Sequence, residues 1–296
     1  MPYSKRILIT GGTGLIGQEL YQPLAEHGFE PYVITIDKKN PQLPHVTYLK
    51  ANLFNENDLS QVLTKVQPQY LLNLAWHTHG DYQTSLLNFD FVQTGLALLK
   101  HFAAHGGQRA VFAGTCMEYA PKSGLLTETD KISPLNLYAR CKNALHQLAQ
   151  DFCSARGISF AYGRVFYVYG KNEHPSRLTS SVLRALYNGE KVQINCSHLQ
   201  RDYMYAKDIA AAFVCLTDSS VQGAVNICTG RPLSLEDYVR AIARQVQRED
   251  LLVLKRQSTS QPLLIAGDNT RLVKEVGFTP TYTLDSALAE IVKKPL

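Results

Sequence analysis

The chain reads as an α/β protein built on a doubly wound parallel sheet, with a smaller C-terminal α/β lobe. Three observations predict this. Short apolar runs alternate with longer helix-patterned stretches through the first half of the 296 residues. Those runs are apolar throughout rather than alternating, as expected of strands covered on both faces. A glycine-rich turn, Thr10-Gly-Gly-Thr-Gly-Leu-Ile-Gly17, directly follows the first of them.

Arg6–Thr10 is the first expected strand, stopped by the glycines, and Leu15–His27 the helix that follows. Tyr32–Ile36 and Val46–Leu49 read as the second and third strands, with a helix at Glu56–Val66. A fourth strand at Tyr70–Leu74 leads to a helix at Thr84–His105, and a fifth at Ala110–Ala113 precedes a helix at Leu137–Ala155. Pro134 stands just ahead of that helix, a suitable starting signal. Ile158–Gly163 is the sixth strand. After Arg164 the pattern loosens: helices at Arg177–Tyr187, Lys207–Leu216, Leu235–Gln247 and Asn269–Val276 interleave with strands at Lys191–Ile194 and Ala224–Cys228. The division predicted is a dinucleotide-binding domain over 1–165 and a mainly substrate-binding lobe over 166–296. The chain is expected to return to the first domain around 203–228. Open α/β sheets bind ligands outside the carboxyl ends of their strands, so the cleft should lie between the lobes.

Composition narrows the function classes. Hydrophobic residues make up 45% and charged residues 19%, as in ordinary globular proteins. The net charge of +5 is scattered, with no basic stripe or arm, which argues against nucleic-acid binding. Six cysteines lack the spacing of a disulfide framework or a zinc site, so no metal site is expected. No apolar run reaches membrane-spanning length, and no signal-peptide core follows the N-terminus. A cytoplasmic protein with reduced thiols is expected.

The glycine turn points to a dinucleotide. Gly11 and Gly14 permit the tight turn and close approach of a pyrophosphate, and Gly17 lets helix and strand pack. The spacing is G-x-x-G-x-x-G. Thr13, Leu15 and Ile16 complete the turn. Asp37 ends the second strand, where a carboxylate bonds a ribose 2′-hydroxyl and tilts the choice towards NAD. Lys38 and Lys39 follow and would accommodate the 2′-phosphate of NADP. Asn52-Leu53 is placed to approach the adenine, and Leu74-Ala75-Trp76 to pass beneath the pyrophosphate and ribose. Val165, just beyond the sixth expected strand, is a further expected cofactor contact. Trp76 reads equally as core or cleft wall.

A second constellation points to carbonyl chemistry. Tyr138 and Lys142 lie four apart, on one helix face. Thr115 ends the fifth strand at the sheet's carboxyl edge. A phenol ordinarily titrates too high for efficient proton transfer at neutral pH. A neighbouring ammonium and an oxidised nicotinamide ring would lower it. Tyr138 would then exchange a proton with an oxyanion that Thr115 steadies, while Lys142 holds the nicotinamide ribose.

These residues closely resemble the extended short-chain dehydrogenase/reductase family, in its nucleotide-sugar epimerase, dehydratase and reductase branch. The likeness continues in Val168-Tyr169-Gly170, similar to the family's Asn-x-Tyr-Gly-Pro, and in Arg201-Asp-Tyr-Met-Tyr-Ala-Lys-Asp-Ile-Ala210. It extends to Asn226-Ile-Cys-Thr-Gly230 and Gly277-Phe-Thr-Pro280. The resemblance implies a Rossmann-like fold and a catalytic trio of Thr115, Tyr138 and Lys142. It also implies that Arg201 clasps a sugar-nucleotide diphosphate, for which a guanidinium is apt. A homodimer through the Thr84–His105 and Leu137–Ala155 helices is implied as well.

Departures narrow the chemistry. Dehydratases of this branch carry an Asp-Glu pair where this chain has Cys116 and Met117, and a thioether moves no proton. The 3,5-epimerase/4-reductases use a Cys where Met117 stands. Their later base corresponds to the segment His174-Pro-Ser-Arg-Leu-Thr-Ser-Ser181, with Ser or Thr at the position of the base. Tyr167 replaces the usual Asn and Lys171 the usual Pro, so the sugar-facing wall is altered, and Arg177 borders it. Glu118 is expected to reach a sugar hydroxyl or pair with a surface base. The reading is NAD(P)-dependent reduction of a nucleotide-linked 4-keto sugar, often 6-deoxy. A 4-epimerase with tightly held NAD is the rival. A non-catalytic dinucleotide sensor is the alternative of another class, disfavoured because such proteins commonly lose the Tyr or the Lys.

Overall fold

The computed structural model describes residues 5–36, 43 and 45–293; Asp37, Lys38 and Lys39 lie outside the described residues. The first half forms β1 (Lys5–Thr10), α1 (Tyr21–Glu26), β2 (Phe29–Thr35), β3 (Thr47–Lys50), α2 (Glu56–Val66), β4 (Tyr70–Asn73), α3 (Leu87–Ala104) and β5 (Arg109–Thr115). A short β6 (Gly124–Leu126) and the long α4 (Leu137–Ala155) lead to β7 (Ser159–Val165). Next come β8 (Tyr167–Tyr169), α5 (Leu178–Tyr187), β9 (Val192–Ile194), β10 (Gln200–Arg201), β11 (Tyr203–Tyr205), α6 (Ala206–Asp218) and β12 (Gly223–Ile227). The remaining elements are β13 (Leu233–Ser234), α7 (Leu235–Gln245), β14 (Leu252–Leu254), β15 (Leu264–Gly267), α8 (Thr270–Lys274) and α9 (Leu284–Val292).

Seven parallel strands pair in the order β12-β7-β5-β4-β1-β2-β3, a Rossmann-like doubly wound sheet. The order reverses between β1 and β4, and a crevice opens there at the carboxyl ends. Alternate residues of β1 serve opposite faces. Ile7 and Ile9 pack with Leu24, Phe213 and Ile227, whereas Leu8 packs with Leu71, Phe102 and Leu145. Both faces are therefore buried there, which is why Ile7-Leu8-Ile9 is apolar without alternation. A smaller sheet, β13-β10-β15-β6, and a separate cluster around Tyr238, Ile242 and Leu288 support the C-terminal part. Among the described residues no helix is long and apolar enough to cross a membrane.

Three elements of the first half depart most from the pattern-based expectation, and α9 and the short strands β6, β8, β10, β11, β13, β14 and β15 are not among the expected elements. The single helix over Leu15–His27 is instead a 3-10 turn, Gly17–Glu19, followed by α1. A continuous helix would need an N–H from Pro23, which has none; starting at Tyr21 places Pro23 in the first turn, where none is required. The second strand begins at Phe29 rather than Tyr32, despite Pro31. β3 joins β2 only from Tyr32 onward, so Pro31 pairs on one side only, with Ile7 of β1. Finally, α3 starts at Leu87 rather than Thr84. The Asn88 side-chain amide donates to the carbonyls of Tyr82 and Ser85, holding that segment in turns.

Candidate active site

A cleft of about 1750 Å³ runs along the carboxyl ends of the strands. Gly11, Thr13, Gly14, Leu15, Ile16, Gly17, Asn52, Leu53, Leu74, Ala75 and Trp76 line it, as do Val165, Thr115, Cys116, Met117, Tyr138, Lys142, Tyr167, Arg177 and Arg201. Sequence positions far apart thus converge on one surface. Asp37 and Lys38 lie outside the described residues.

The glycines leave a cradle that side chains would fill. Gly11 has φ +70°, and a Cβ there would sit 2.7 Å from the Ala75 nitrogen. A Cβ on Gly17 would fall 2.1 Å from the Gly11 carbonyl oxygen. Gly14 donates its N–H to that same carbonyl at 3.0 Å. The turn from β1 therefore presses against the segment after β4, leaving bare backbone towards the cleft. This suits a group with the shape and charge of a dinucleotide pyrophosphate.

Tyr138 and Lys142 occupy the buried face of α4, whose N-terminus is capped by the Asn136 side chain accepting from the Ala139 N–H. Tyr138, Lys142 and Thr115 are all buried. The Tyr138 phenol and the Thr115 hydroxyl face the same stretch of the cleft. Lys142 Nζ donates to the Ala113 carbonyl at 2.7 Å and lies over the face of Trp76, 3.9 Å from the ring centroid. Burial pulls Lys142 down to about 7, against the opposing charge of Glu118. The lowering expected for Tyr138 is outweighed in the protein itself: burial pushes the phenol up, and the nearby Thr115 side chain offsets only part of this. Burial also pushes the Cys116 thiol up to about 12.

Glu118 departs from expectation, reaching neither a surface base nor the cleft. It is fully buried, accepts from the Thr115 N–H at 2.8 Å, and completes a capping box with Thr115. The Tyr162 hydroxyl lies 3.0 Å from Oε1, and Arg164 Nε faces Oε2 at 3.5 Å. Arg164 is also buried, over the Tyr119 ring. The carboxylate thus braces Thr115 from behind the cleft. Arg201 lines the cleft, but its Nη1 donates to the carbonyls of Gln200, Pro262 and Leu263, and its Nη2 donates to Gln261 Oε1. Arg177 donates to the Thr78 carbonyl and covers the Tyr82 ring.

Sequence reasoning missed the loop between β4 and α3. Tyr82 packs edge-on against Tyr138 with centroids 5.1 Å apart, and its hydroxyl points at Met117 Sδ. His79 stacks on His174 from the other side of the cleft. The position of this loop, at a strand's carboxyl end beside the switch point, was the available signal. The aromatic wall of Tyr203 and Tyr238, stacked at 3.9 Å, was also missed because its members are distant in sequence.

The sheet, its switch-point glycine turn and the cleft across it define a nucleotide-binding α/β protein of the Rossmann type. A family model described as "NAD dependent epimerase/dehydratase family" matches residues 7–228, and the chain belongs to that family. UDP-glucose 4-epimerase of Rhizobium meliloti (strain 1021) is 26% identical over 314 residues, covering 95% of this chain and 94% of the relative. dTDP-6-deoxy-L-talose 4-dehydrogenase (NAD(+)) of Aggregatibacter actinomycetemcomitans is 25% identical over 240 residues, covering 79% and 87%. The crystal structure of UDP-glucose 4-epimerase from Thermotoga maritima with UDP-glucose superposes with a TM-score of 0.87 at 20% identity, covering 97% of each chain. That likeness speaks for the fold.

Proposed function

We propose that the protein reduces a nucleotide-linked 4-keto sugar, including 6-deoxy forms, to the 4-hydroxy sugar with a nicotinamide dinucleotide. One observation carries the reading. Thr115, Tyr138 and Lys142 converge in the cleft, while the residues after Thr115 are a buried thiol of raised pKa and a thioether. That set supports one carbonyl reduction and lacks the acid–base pair for water elimination. The similarity to a 4-dehydrogenase acting on a dTDP-6-deoxy sugar supports the same choice.

The glycine turn, Asn52-Leu53 and Leu74-Ala75 would hold the dinucleotide, with Lys142 on the nicotinamide ribose and Asp37 favouring NAD. When bound in its reduced form, this group supplies the hydride. Thr115 donates a hydrogen bond to the substrate's carbonyl oxygen. Tyr138, whose raised pKa keeps it protonated, gives its proton to that oxygen as alkoxide character develops. Lys142, as ammonium, stabilises the phenolate left behind. A second copy is proposed to pair on the apolar strip of Leu96, Ala103, Leu148 and Phe152, between α3 and α4.

The 4-epimerase reading has support in the similarity to a UDP-glucose 4-epimerase and needs the same trio. Incubation with nucleotide-4-ketohexoses and NADH or NADPH separates the two. Stoichiometric loss of the reduced-cofactor absorbance is expected; interconversion of 4-hydroxy sugars without net oxidation would select the epimerase. Cofactor binding has its own test in Gly11→Ala, whose new methyl has no room and sits at a positive φ. Stability should fall by about 1–3 kcal/mol in thermal unfolding, and NADH affinity by roughly tenfold or more in a fluorescence titration. Undiminished affinity would separate the glycine turn from the dinucleotide.

A further inference from the structure

Trp76 is the single tryptophan of the chain, and its ring is fixed from several sides. Its Nε1 donates to Asn88 Oδ1 at 2.8 Å, and Asn88 is itself fully buried. Phe91 stacks on the indole with centroids 5.2 Å apart. The indole meets Tyr138 edge-on at 6.3 Å. The Lys142 ammonium, buried between the Ala113 carbonyl and this ring, faces the indole at 3.9 Å. An ammonium over an aromatic face is attracted by the ring quadrupole, most strongly where water is excluded.

We propose that Trp76 is a positioning residue: its indole face keeps Lys142 charged and fixed beside Tyr138, acting through Lys142 rather than on the substrate. Its link to turnover rests on the proposed reductase reading; the contact itself does not. The charged and titratable groups around Lys142 leave room for such a contribution. Glu118, behind β5, favours the ammonium. Arg164 and Tyr162 of β7 face Glu118. Tyr138 precedes Lys142 on α4, and His146, one turn further on, is lowered to about 4 by burial and is neutral. Lys142 itself, pulled down to about 7 by burial, is balanced near neutrality, so a modest attraction decides its charge.

The first test needs no turnover. Emission of the single tryptophan is followed over about pH 5.5–9. Loss of an ammonium from the indole face alters that emission, so a transition centred near 7 is expected, and Lys142→Met should abolish it. A transition unchanged in Lys142→Met overturns the proposal. The second test compares Trp76→Phe with Trp76→Leu in the NADH assay. The aromatic variant is expected within about threefold of wild type, and the aliphatic one to lose about tenfold in kcat with sugar KM little changed. In Trp76→Leu the ammonium is less favoured, so the fall of kcat with rising pH should begin at lower pH. Equal losses in both variants with no change in the pH profile would reduce Trp76 to packing and overturn the proposal. If Trp76→Leu does not fold, the emission titration decides alone. If no 4-keto sugar is reduced while the Lys142-dependent emission change is present, the reductase reading fails and the Trp76–Lys142 contact stands.

Discussion

Tyr138→Phe is expected to lower turnover about 10²–10⁴-fold while leaving NADH affinity within about threefold. The substitution removes the phenolic hydroxyl but keeps the ring that packs against Tyr82 and Trp76. What disappears is the proton donor, while the cradle around Gly11 and Gly17 lies elsewhere and is unaltered. Steady-state NADH oxidation with a nucleotide-4-ketohexose reads the first quantity, and a fluorescence titration reads the second. Turnover equal to wild type would remove Tyr138 from the chemistry and favour a protein that only senses dinucleotide.

Arg164→Met is expected to destabilise the fold by about 3–5 kcal/mol, because it leaves the Glu118 carboxylate buried without its cation. In thermal unfolding this corresponds to a drop of roughly 10 °C. The pH dependence has a definite sign. Burial already holds the Glu118 carboxyl above its ordinary value of 4.5 in the folded protein, and Arg164 opposes that rise. Removing Arg164 raises it further, so the folded variant retains a proton that the unfolded chain releases. Stability is then fully present below about pH 4.5 and is lost as pH rises towards the folded-state value. Urea unfolding at mildly acidic and mildly alkaline pH should therefore show a wider gap from wild type at the higher pH. Adding Glu118→Gln to the variant should flatten that dependence. A gap independent of pH would show that lost packing, not the stranded carboxylate, sets the cost.

Much of the scaffold was legible because its signals are local. The apolar runs of β1, β4 and β5 announced strands covered on both faces, and the glycine turn announced the switch point. Where local rules compete, the reading slipped. Helical periodicity over residues 15–27 concealed what Pro23 does to backbone hydrogen bonding. The second strand reads as starting at Tyr32, whereas the strand order lets it run back through Pro31 to Phe29. Glu118 was the larger miss. Its capping role towards Thr115 is a three-residue relation, yet its burial depends on Arg164 and Tyr162 from β7. Arg201 shows the same limit, since its carbonyl partners at Pro262 and Leu263 arrive through the pairing of β10 with β15.

The amino-acid order alone determined the doubly wound class, the dinucleotide turn and the pairing of Tyr138 with Lys142 on one helix face. Those follow from spacing, since residues four apart on a helix or at a strand end have few places to go. Tertiary structure alone decided which distant side chains surround that pair: Trp76 over the ammonium, Tyr82 against the phenol, and Glu118 with Arg164 behind Thr115. The reason is that contacts between strands are set by their order and register in the sheet, and neither is written in the spacing of any one segment.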